Sequence, residues 1–426
     1  MNPVCDIKKE VYVPCPEPHV ATTASVTYIG EGLTREETRS NIRSSDWHDT
    51  RRRRLSHDNG RTWSEWKTLY IEVPTQGGYT MSGGPGQGGT GPLDPVSGRL
   101  IKRVFQRIVE GDPKEAMGAI WSGSRLFSDH GFYQLSSDNG ETWGEGRQFK
   151  YEDGPDFDPD DWGNPEFWRT NEMYIGHHTV VSNGTVVASA TVPVPYSDEK
   201  DEGYPSVFPN NYREGCVAGA MCFVGRWNPG REDYDWTPSS AVCLPRRVST
   251  RGLVELDISE LSNGNLMLVM RGSNTGLDSE ECPARKWLSV SKDGGHTWSD
   301  VTAMCYDTGE QFYSPATFVR TIRSSKTDKL YCVGNFPDAP PDGNGPRYPL
   351  QIAEVDETIP ALKRDTVTLI DDRDPERDSE HVQLSNFGLL ENRETQEIEL
   401  YLTRLGERGT GPDTWTADTY RYTLEF

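Results

Sequence analysis

Residues 56–63 read Ser-His-Asp-Asn-Gly-Arg-Thr-Trp, and the pattern Ser-x-Asp-x-Gly-x-Thr-Trp occurs three times in the chain. The other copies are residues 136–143, Ser-Ser-Asp-Asn-Gly-Glu-Thr-Trp, and residues 291–298, Ser-Lys-Asp-Gly-Gly-His-Thr-Trp. In each copy the aspartate can accept backbone N–H bonds within a turn. The glycine can take a positive φ, and the tryptophan can bury its ring beneath the hairpin. Three copies in one chain indicate a repeat protein, and we call these segments the Asp boxes.

A second repeating pattern consists of a short apolar strand, a turn and another apolar strand. Residues 179–187 and 261–270 are two instances, turning at Asn183-Gly184 and Asn263-Gly264. Asn-Gly is the preferred two-residue turn of β-hairpins. Looser instances run from Ala316 to Tyr331 and from Phe387 to Thr403. The pattern predicts the inner hairpins of a series of blades.

Six such units follow one another along the chain, near residues 20–70, 80–150, 172–240, 252–302, 312–355 and 380–426. The third contains a degenerate box between Trp227 and Trp236, and helical periodicity is nowhere sustained over three turns. We predict an all-β fold, one six-bladed β-propeller domain spanning residues 1–426, with the N-terminal strand beside the C-terminal one. Residues 151–162 and 337–346 are predicted to be long insertions over a propeller face.

The charge of the chain restricts its partners. With 44 Lys and Arg against 66 Asp and Glu, the formal net charge is -22. Nucleic acid is therefore excluded as a partner, because phosphate binding needs a basic surface. The strongest basic run, residues 51–54, is explained by a strand whose side chains alternate between two faces.

No apolar stretch approaches the roughly 20 residues of a membrane span, so no membrane partner is predicted. The start, Met-Asn-Pro-Val-Cys, lacks a signal peptide. We therefore expect a cytoplasmic protein or a secreted one whose signal has been removed. The eight cysteines include no Cys-x-x-Cys pair, so we predict no zinc site and leave disulfides open. The acidic loops could hold calcium but lack EF-hand spacing, so a bound metal stays open; no metal ligand and no cofactor are predicted.

The stretch from Glu255 to the third Asp box resembles the sialidase (neuraminidase) superfamily. In that family a catalytic glutamate begins an inner strand, an apolar hairpin follows and ends in an arginine, and Arg-x-x-x-Ser-x-Asp-x-Gly-x-Thr-Trp comes next. Glu255, Arg271, Arg285 and the box at Ser291 fit this order, with two extra residues between Arg285 and the box. The resemblance implies a sialidase-type propeller in which Glu255 polarises a tyrosine nucleophile. It also implies that Arg271 is one of three arginines that bind a substrate carboxylate.

Further positions follow from the same resemblance. Arg347, in Gly345–Leu350, is similar to another carboxylate-binding arginine of the family. His177 and His178 precede the hairpin of blade 3, where the family presents a residue to the pocket floor. The general acid of the family is an aspartate in the loop region that here contains Asp46 and Asp49. Arg43, in the same region, is a further candidate for substrate binding.

The chain departs from the family at two positions. The Arg-Ile-Pro motif that opens blade 1 is replaced by residues 17–21, Glu-Pro-His-Val-Ala, and the nucleophilic tyrosine of blade 6 is replaced by Ser385-Asn386-Phe387. The resemblance thus implies the scaffold without specifying sialic acid as the substrate.

Inner strands of a propeller run toward a common axis, so residues at their entrances are expected to converge on one pocket. Those residues are His177, His178, Glu255, Tyr313 and Asn386, with Arg271 at the far end of its hairpin. Glycoside cleavage needs a pair of carboxyl groups, or a carboxylic acid with an activated nucleophile. Asp46 or Asp49 would be the acid and Glu255 the base or its partner. Tyr313 would be the nucleophile, since a carboxylate can activate a tyrosine.

Each candidate also has a structural alternative. Glu255 could pair with Arg251 on a solvated edge, and Arg271 could be an exposed strand end. Asp46 and Asp49 could stabilise a turn, and Tyr313 could be a buried tyrosine with a bonded hydroxyl. The two histidines are expected on opposite strand faces, with one pointing inward.

We predict a sialidase-like exo-acting glycoside hydrolase that releases a terminal acidic sugar from a glycan or oligosaccharide. One alternative is a polysaccharide lyase acting on a uronate, with His177 or Tyr313 as the base. Another is a carbohydrate-binding propeller without catalytic activity. Oligomeric state stays open.

Overall fold

Six antiparallel β-sheets form the blades of a β-propeller, which confirms the predicted fold class. The computed structural model describes residues 3–45, 47–70, 74–83, 90–111, 127–204 and 215–426, except the side chains of Trp47, Asp49, Tyr70, His177 and His178.

The first half of the chain contains the N-terminal strand and blades 1 to 3. The strands are β1 (Asp6–Val13); β2 (Ala21–Tyr28), β3 (Arg35–Ser44), β4 (Trp47–Ser56) and β5 (Lys67–Tyr70) in blade 1; β6 (Thr75–Gln76), β7 (Tyr79–Gly83), β8 (Leu93–Asp94), β9 (Arg99–Glu110), β10 (Phe127–Ser136) and β11 (Arg147–Gln148) in blade 2; and β12 (Tyr174–Ser182), β13 (Thr185–Pro195), β14 (Cys216–Asn228) and β15 (Asp233–Pro238) in blade 3.

The second half contains blades 4 to 6. The strands are β16 (Val254–Glu260), β17 (Leu266–Arg271), β18 (Lys286–Ser291) and β19 (Thr302–Ala303) in blade 4; β20 (Arg320–Ser324), β21 (Lys329–Asn335), β22 (Leu350–Asp356), β23 (Ala361–Leu362) and β24 (Thr368–Asp371) in blade 5; and β25 (Gly388–Glu391), β26 (Ile398–Thr403) and β27 (Thr419–Glu425) in blade 6.

Helices are short in the described part of the chain. One α-helix, α1 (Pro165–Arg169), lies between blades 2 and 3, with Asn164 capping its N-terminus. Three 3₁₀ turns cover Glu199–Asp201, Arg364–Thr366 and Gly411–Trp415. Among the described residues, no helix is both long enough and apolar enough to cross a membrane.

The two ends of the chain meet in blade 6. Strand β1 pairs antiparallel with β27, from Asp6 opposite Glu425 to Val13 opposite Thr419. It is therefore the outermost strand of the sheet β1-β27-β26-β25. This closure, which the sequence predicted, ties the first and last parts of the chain by backbone hydrogen bonds.

The core lies between blades and not within them. In β17, Leu266, Leu268 and Met270 pack toward blade 3, whereas Met267 and Val269 pack toward blade 5. All six residues of β17 are buried. Because successive side chains of a strand point to opposite faces, a continuous apolar run is what a strand between two neighbouring sheets requires.

The three Asp boxes connect β4 to β5 in blade 1, β10 to β11 in blade 2 and β18 to β19 in blade 4. In the first box Asp58 accepts bonds from Ser56 Oγ (2.8 Å) and Thr62 N (2.8 Å), and Gly60 N donates to Ser56 Oγ at 2.7 Å. Asn59 and Gly60 have φ values of 62° and 88°, so the turn needs two consecutive left-handed residues. The box tryptophans are half-buried and not fully buried as expected.

The basic run of residues 51–54 lies on β4, and its side chains alternate as predicted. The guanidinium groups of Arg52 and Arg54 lie over the Trp66 ring, while Arg53 faces Glu36 at 3.6 Å. These arginines thus stabilise blade 1.

One strand begins later than predicted. The inner strand of blade 5 was expected from Ala316, but β20 begins at Arg320. Backbone N–H groups of the preceding segment bond to loops instead of a strand: Ser314 N to Ala284 O (3.0 Å) and Ala316 N to Gly343 O (2.7 Å). All eight cysteines are free thiols.

Candidate functional site

Antiparallel order gives the propeller two different faces. The Asp boxes and the turns between first and second strands lie at one face, which we call the Asp-box face. The connections between second and third strands, and between successive blades, lie at the other, which we call the site face. Glu255 is the second residue of β16 and Arg271 ends β17, and Val254 pairs with Arg271. Both candidates therefore lie at the site face.

Glu255 and Arg271 form an ion pair, since Arg271 Nη1 donates to Glu255 Oε2. The side chains are 21% and 10% exposed, so the pair is largely desolvated while Glu255 keeps access to solvent. Glu255 has a φ of 49°, and the register of β16 against β17 shifts between Val254 and Asp257. A bulge of this kind re-aims a side chain at the end of a strand.

Arg347 lies in the connection between β21 and β22 of blade 5. Its Nη1 donates to Gln383 Oε1 at 2.9 Å and to Ser385 Oγ at 3.3 Å. Both acceptors belong to the segment that leads into blade 6. Arg347 and Gln383 also form an isolated parallel bridge through their backbones, so the guanidinium is held between two blades.

Asn344 connects the two arginines. Its side-chain oxygen accepts from Arg271 Nη2 at 3.0 Å, and its backbone carbonyl accepts from Arg347 Nε at 3.1 Å. One residue of blade 5 therefore fixes guanidinium groups from blades 4 and 5 relative to each other.

A third guanidinium contributes to the electrostatics of Glu255. Burial alone would raise the pKa of this carboxyl group, but the charge and hydrogen bond of Arg271, together with the charges of Arg251 and Arg347, lower the pKa below its usual value. Arg251 is buried and lies four residues before Glu255. Glu255 is thus a carboxylate at neutral pH, and we call Arg251, Arg271 and Arg347 the arginine cluster.

Lys286 lies behind the cluster, paired with Arg271 across β17 and β18. It is fully buried, and its ammonium donates to Pro315 O at 2.7 Å. Burial, together with the charges of Arg271 and Arg347, lowers its pKa to about 7, while Glu255 and Cys332 act in the opposite direction.

Arg320 of β20 faces Asp257 of β16. Arg320 Nη1 lies 3.8 Å from Asp257 Oδ1, and Asp257 Oδ2 accepts from Thr321 N at 2.8 Å. The carboxylate of Glu255 acts electrostatically on Arg320. Inner strands thus place further charges near the cluster.

Tyr313 is not at a strand entrance, contrary to expectation. It lies seven residues before β20, and its half-buried ring lies below Arg285, whose Cζ is 5.3 Å from the ring centroid. Among the described residues no carboxylate accepts a hydrogen bond from its hydroxyl. The loop contacts that delay β20 also hold Tyr313 in this position.

The other candidates that the structure describes lie at or near the site face. Asn386 is exposed, has a φ of 62° and precedes β25 by two residues. Arg43 pairs with Glu17 at 3.4 Å, with both side chains more than half exposed. His177 and His178 lie on β12, where the register shifts between Ile175 and Thr179. Asp49 lies on β4; the side chains of these three residues, and Asp46 altogether, lie outside the described structure.

Sequence reasoning missed Asn344, Gln383, Ser385 and Lys286 as parts of the site, and treated Arg251 only as a structural partner of Glu255. Their spacing along the chain carries no motif. A partial signal existed for Lys286, since a lysine that begins an apolar strand inside a repeat unit must be accommodated in or near the core.

Two further features of the described residues bear on ligands. The described residues contain no group of three or more His, Cys, Asp or Glu side chains placed to hold a metal ion. A cavity of about 470 Å³ lies at the Asp-box face between blades 1 and 2, lined by residues such as His57 and Asp138. None of the candidates lines that cavity.

The chain was compared with known proteins. Its sequence matches no protein-family model and no curated protein. Its structure is similar to a protein of unknown function from Dyadobacter fermentans, with a TM-score of 0.59, 12% identity and 99% of each chain covered.

Two glycosidase structures are also similar. A mutant of NanB sialidase from Streptococcus pneumoniae matches with a TM-score of 0.57 and 12% identity over 100% of this chain and 71% of that one. A mutant α-L-arabinofuranosidase from Fusarium graminearum matches with a TM-score of 0.50 and 13% identity over 98% and 96%. These likenesses show the fold: the chain is a six-bladed β-propeller of the kind found in sialidases.

Proposed function

We propose that this protein is an exo-acting glycoside hydrolase that releases a terminal acidic sugar, whose carboxylate is bound by Arg271 and Arg347. The observation that carries the proposal is the fixing of both guanidinium groups by Asn344, beside the partly exposed carboxylate of Glu255. Guanidinium groups present a planar fork of donors that matches a carboxylate, so they suit an anionic sugar better than a neutral one.

Glu255 has two roles in this proposal. As a carboxylate it orients Arg271 through the ion pair, and it is an acceptor for a proton or a hydroxyl at the pocket. The acid that protonates the leaving group is Asp46, which follows β3 in the sequence, or Asp49, which lies on β4. The first residues of β4 lie at the site face, so the backbone of Asp49 is at the correct end of blade 1.

The test is a screen of aryl glycosides: a sialoside, a glucuronide and their neutral counterparts, with purified wild-type protein and Arg271→Ala. We expect the wild type to turn over an acidic glycoside, which is measured as release of the aryl group. We expect this turnover to be lost in Arg271→Ala. A uronate-containing oligosaccharide is added to separate a hydrolase from a lyase, because only a lyase, which eliminates the sugar attached at C4 of the uronate, leaves a double bond that absorbs in the ultraviolet. Turnover that is unchanged in Arg271→Ala would contradict the carboxylate role.

A second candidate function is an acidic-glycan-binding propeller without turnover. It is favoured by Tyr313, the predicted nucleophile, whose hydroxyl donates to no carboxylate among the described residues, and by Asn386 at the place of the family nucleophile. This candidate predicts glycan binding that persists in Glu255→Gln and no cleavage of any glycoside in the screen.

A further inference from the structure

The segment that holds Arg347 depends on one buried asparagine. Asn335 ends β21 and is 0% exposed. Its Nδ2 donates to three backbone carbonyls: Arg347 O (3.1 Å), Pro349 O (3.0 Å) and Leu384 O (3.0 Å).

These three carbonyls belong to two different blades. Arg347 and Pro349 lie in the connection of blade 5, whereas Leu384 leads into blade 6. Leu384 is flanked by Gln383 and Ser385, the two acceptors of the Arg347 guanidinium. One amide therefore binds the backbone beneath the arginine and the backbone beneath both of its side-chain acceptors.

The orientation of the amide is itself fixed. Asn335 Oδ1 accepts from Thr317 Oγ1 at 3.0 Å, and Asn335 O accepts from Ser314 Oγ at 2.7 Å. With the oxygen engaged by a hydroxyl donor, the NH₂ group must face the carbonyls. Leu384 N also donates to Arg347 O at 3.0 Å, which completes a buried network across the two blades.

We propose that Asn335 is a positioning residue for substrate binding: it sets the distance between Arg347 and the Gln383–Ser385 segment, and so the orientation of the guanidinium toward an anionic ligand. The proposal rests on the proposed function, because it assigns the carboxylate of an acidic sugar to Arg347. If Asn335 only stabilised the fold, the effect of its substitution on ligand binding would not depend on the presence of Arg347.

The decisive variant is Asn335→Asp, which keeps the shape of the side chain and replaces the NH₂ donor by an oxygen that faces three carbonyls. The matched control is Asn392→Asp, in the hairpin between β25 and β26 at the Asp-box face. Asn392 Nδ2 donates to Glu399 at 2.8 Å, so the control also disturbs a hydrogen-bond network, but away from the cluster.

The measurement is calorimetric binding of glucuronate and N-acetylneuraminate, with glucose as the uncharged probe, to wild type, Asn335→Asp, Asn392→Asp, Arg347→Ala and the Asn335→Asp/Arg347→Ala double variant. We expect Asn335→Asp to weaken the acidic sugar that the wild type binds by roughly tenfold, as outer residues that orient ligand groups do elsewhere. The change should vanish in the Arg347→Ala background, and Asn392→Asp should bind as the wild type does.

Wild-type affinity in Asn335→Asp, or an equal loss in the presence and absence of Arg347, would overturn the proposal. If Asn335→Asp does not fold, Thr317→Val decides, since it removes the donor to Oδ1; a shift of about twofold to tenfold in the same direction is expected from one lost hydrogen bond.

Failure of the proposed function gives a different result, namely no binding of either acidic sugar by the wild type. The crystal structure of Asn335→Asp then decides the positioning role without a ligand. Loss of the 2.9 Å bond between Arg347 and Gln383 would support it, and an unchanged bond would refute it.

Discussion

Each Asp box at the Asp-box face is held by contacts within one hairpin, whereas the candidate site at the site face is assembled from several blades. Asp58 accepts from Thr62, four residues away, and Asp138 and Asp293 repeat the same bond. At the site face, Arg271 and its partner Asn344 are 73 residues apart. The comparison teaches that a repeat motif can specify a face of this fold while saying nothing about the chemistry of the other face.

The two faces should respond differently to substitution. Changes at the Asp-box face should lower stability and leave ligand binding intact. Changes in the arginine cluster should weaken ligand binding and leave stability nearly unchanged. The following predictions run from the largest expected effect to the smallest.

Arg35→Met should lower stability the most. Arg35 donates to both carboxylate oxygens of Glu399 at 3.0 and 3.1 Å, and the two side chains are 4% and 6% exposed. Breaking a buried pair leaves a charge without a partner, which costs about 3–5 kcal/mol. The free energy of unfolding in urea checks this.

The control for that variant is Arg61→Met, which removes the exposed ion pair with Glu394. An exposed pair contributes only about 0–1 kcal/mol. Equal losses in the two variants, or weaker binding of the acidic sugar by folded Arg35→Met, would contradict the division between faces.

Arg347→Ala should lower kcat/KM on the acidic glycoside with little change in stability. Hydrogen bonds to a charged group contribute about 1.5–3 kcal/mol, which corresponds to roughly a tenfold to hundredfold loss. Steady-state kinetics check the loss in kcat/KM, and thermal unfolding of the same preparation checks that stability is nearly unchanged. Arg231→Ala, in the turn between β14 and β15, is the matched control and should keep wild-type kinetics. A similar loss of kcat/KM in this variant would contradict binding of the acidic glycoside at the site face.

Asp293→Ala should lower stability by roughly 1 kcal/mol, because it removes the acceptor of a largely exposed turn. Burial alone would raise the pKa of Asp293, but bonds from Thr297 and Ser291 lower it to about 2. A lowered pKa stabilises the fold above the unfolded value of about 3.8, and this contribution is lost as the pH falls toward 2. The difference from wild type should therefore shrink in that range.

Lys292→Ala is the control for the turn, since Lys292 is exposed beside Asp293. It should leave unfolding unchanged. A difference between Asp293→Ala and wild type that stays constant from pH 5 to pH 2 would contradict the assigned pKa.

Lys286→Met should have the smallest effect at pH 7, within about 1 kcal/mol, because replacing a buried charge by an apolar side chain of similar volume is often neutral. The pKa of Lys286 is lowered from 10.5 to about 7 by burial. Between these values the unfolded lysine binds a proton that the folded one does not, so stability should rise with pH there. The variant should show a smaller rise than the wild type in urea unfolding at a series of pH values, because burial also lowers the pKa of Lys102 to about 8 and that contribution remains. A rise equal to that of the wild type would contradict the assignment.

The sequence predicted the propeller correctly because its signals are local. Asn183 and Gly184 both have positive φ, which is what an Asn-Gly hairpin requires, and β1 does pair with β27 as the repeat count suggested. The predicted start of the first strand of blade 5 was wrong, because residues 314–317 contact distant loops instead of forming the expected strand. Local patterns cannot contain that information.

The candidate site was predicted less completely. Glu255 and Arg271 were found together because they lie at the two ends of one hairpin, so a fixed spacing relates them. Asn344, Gln383 and Ser385 were not found, since each reaches an arginine across a blade boundary. Tyr313 was assigned to a strand entrance that the loops displace.

By itself the sequence determined the repeat, the number of blades and the hairpin of Glu255 and Arg271, because turn chemistry and strand alternation act over a few residues. Only the tertiary structure decided that the charges of Arg251, Arg271 and Arg347 act on the carboxylate of Glu255. It also decided that Asn344 bonds to Arg271 and Arg347 and that Asn335 bonds to the backbone of Arg347. Closing six blades into a ring brings the ends of inner strands together whatever their distance along the chain. The charges and buried amides that meet there depend on that closure and leave no periodic trace in the sequence.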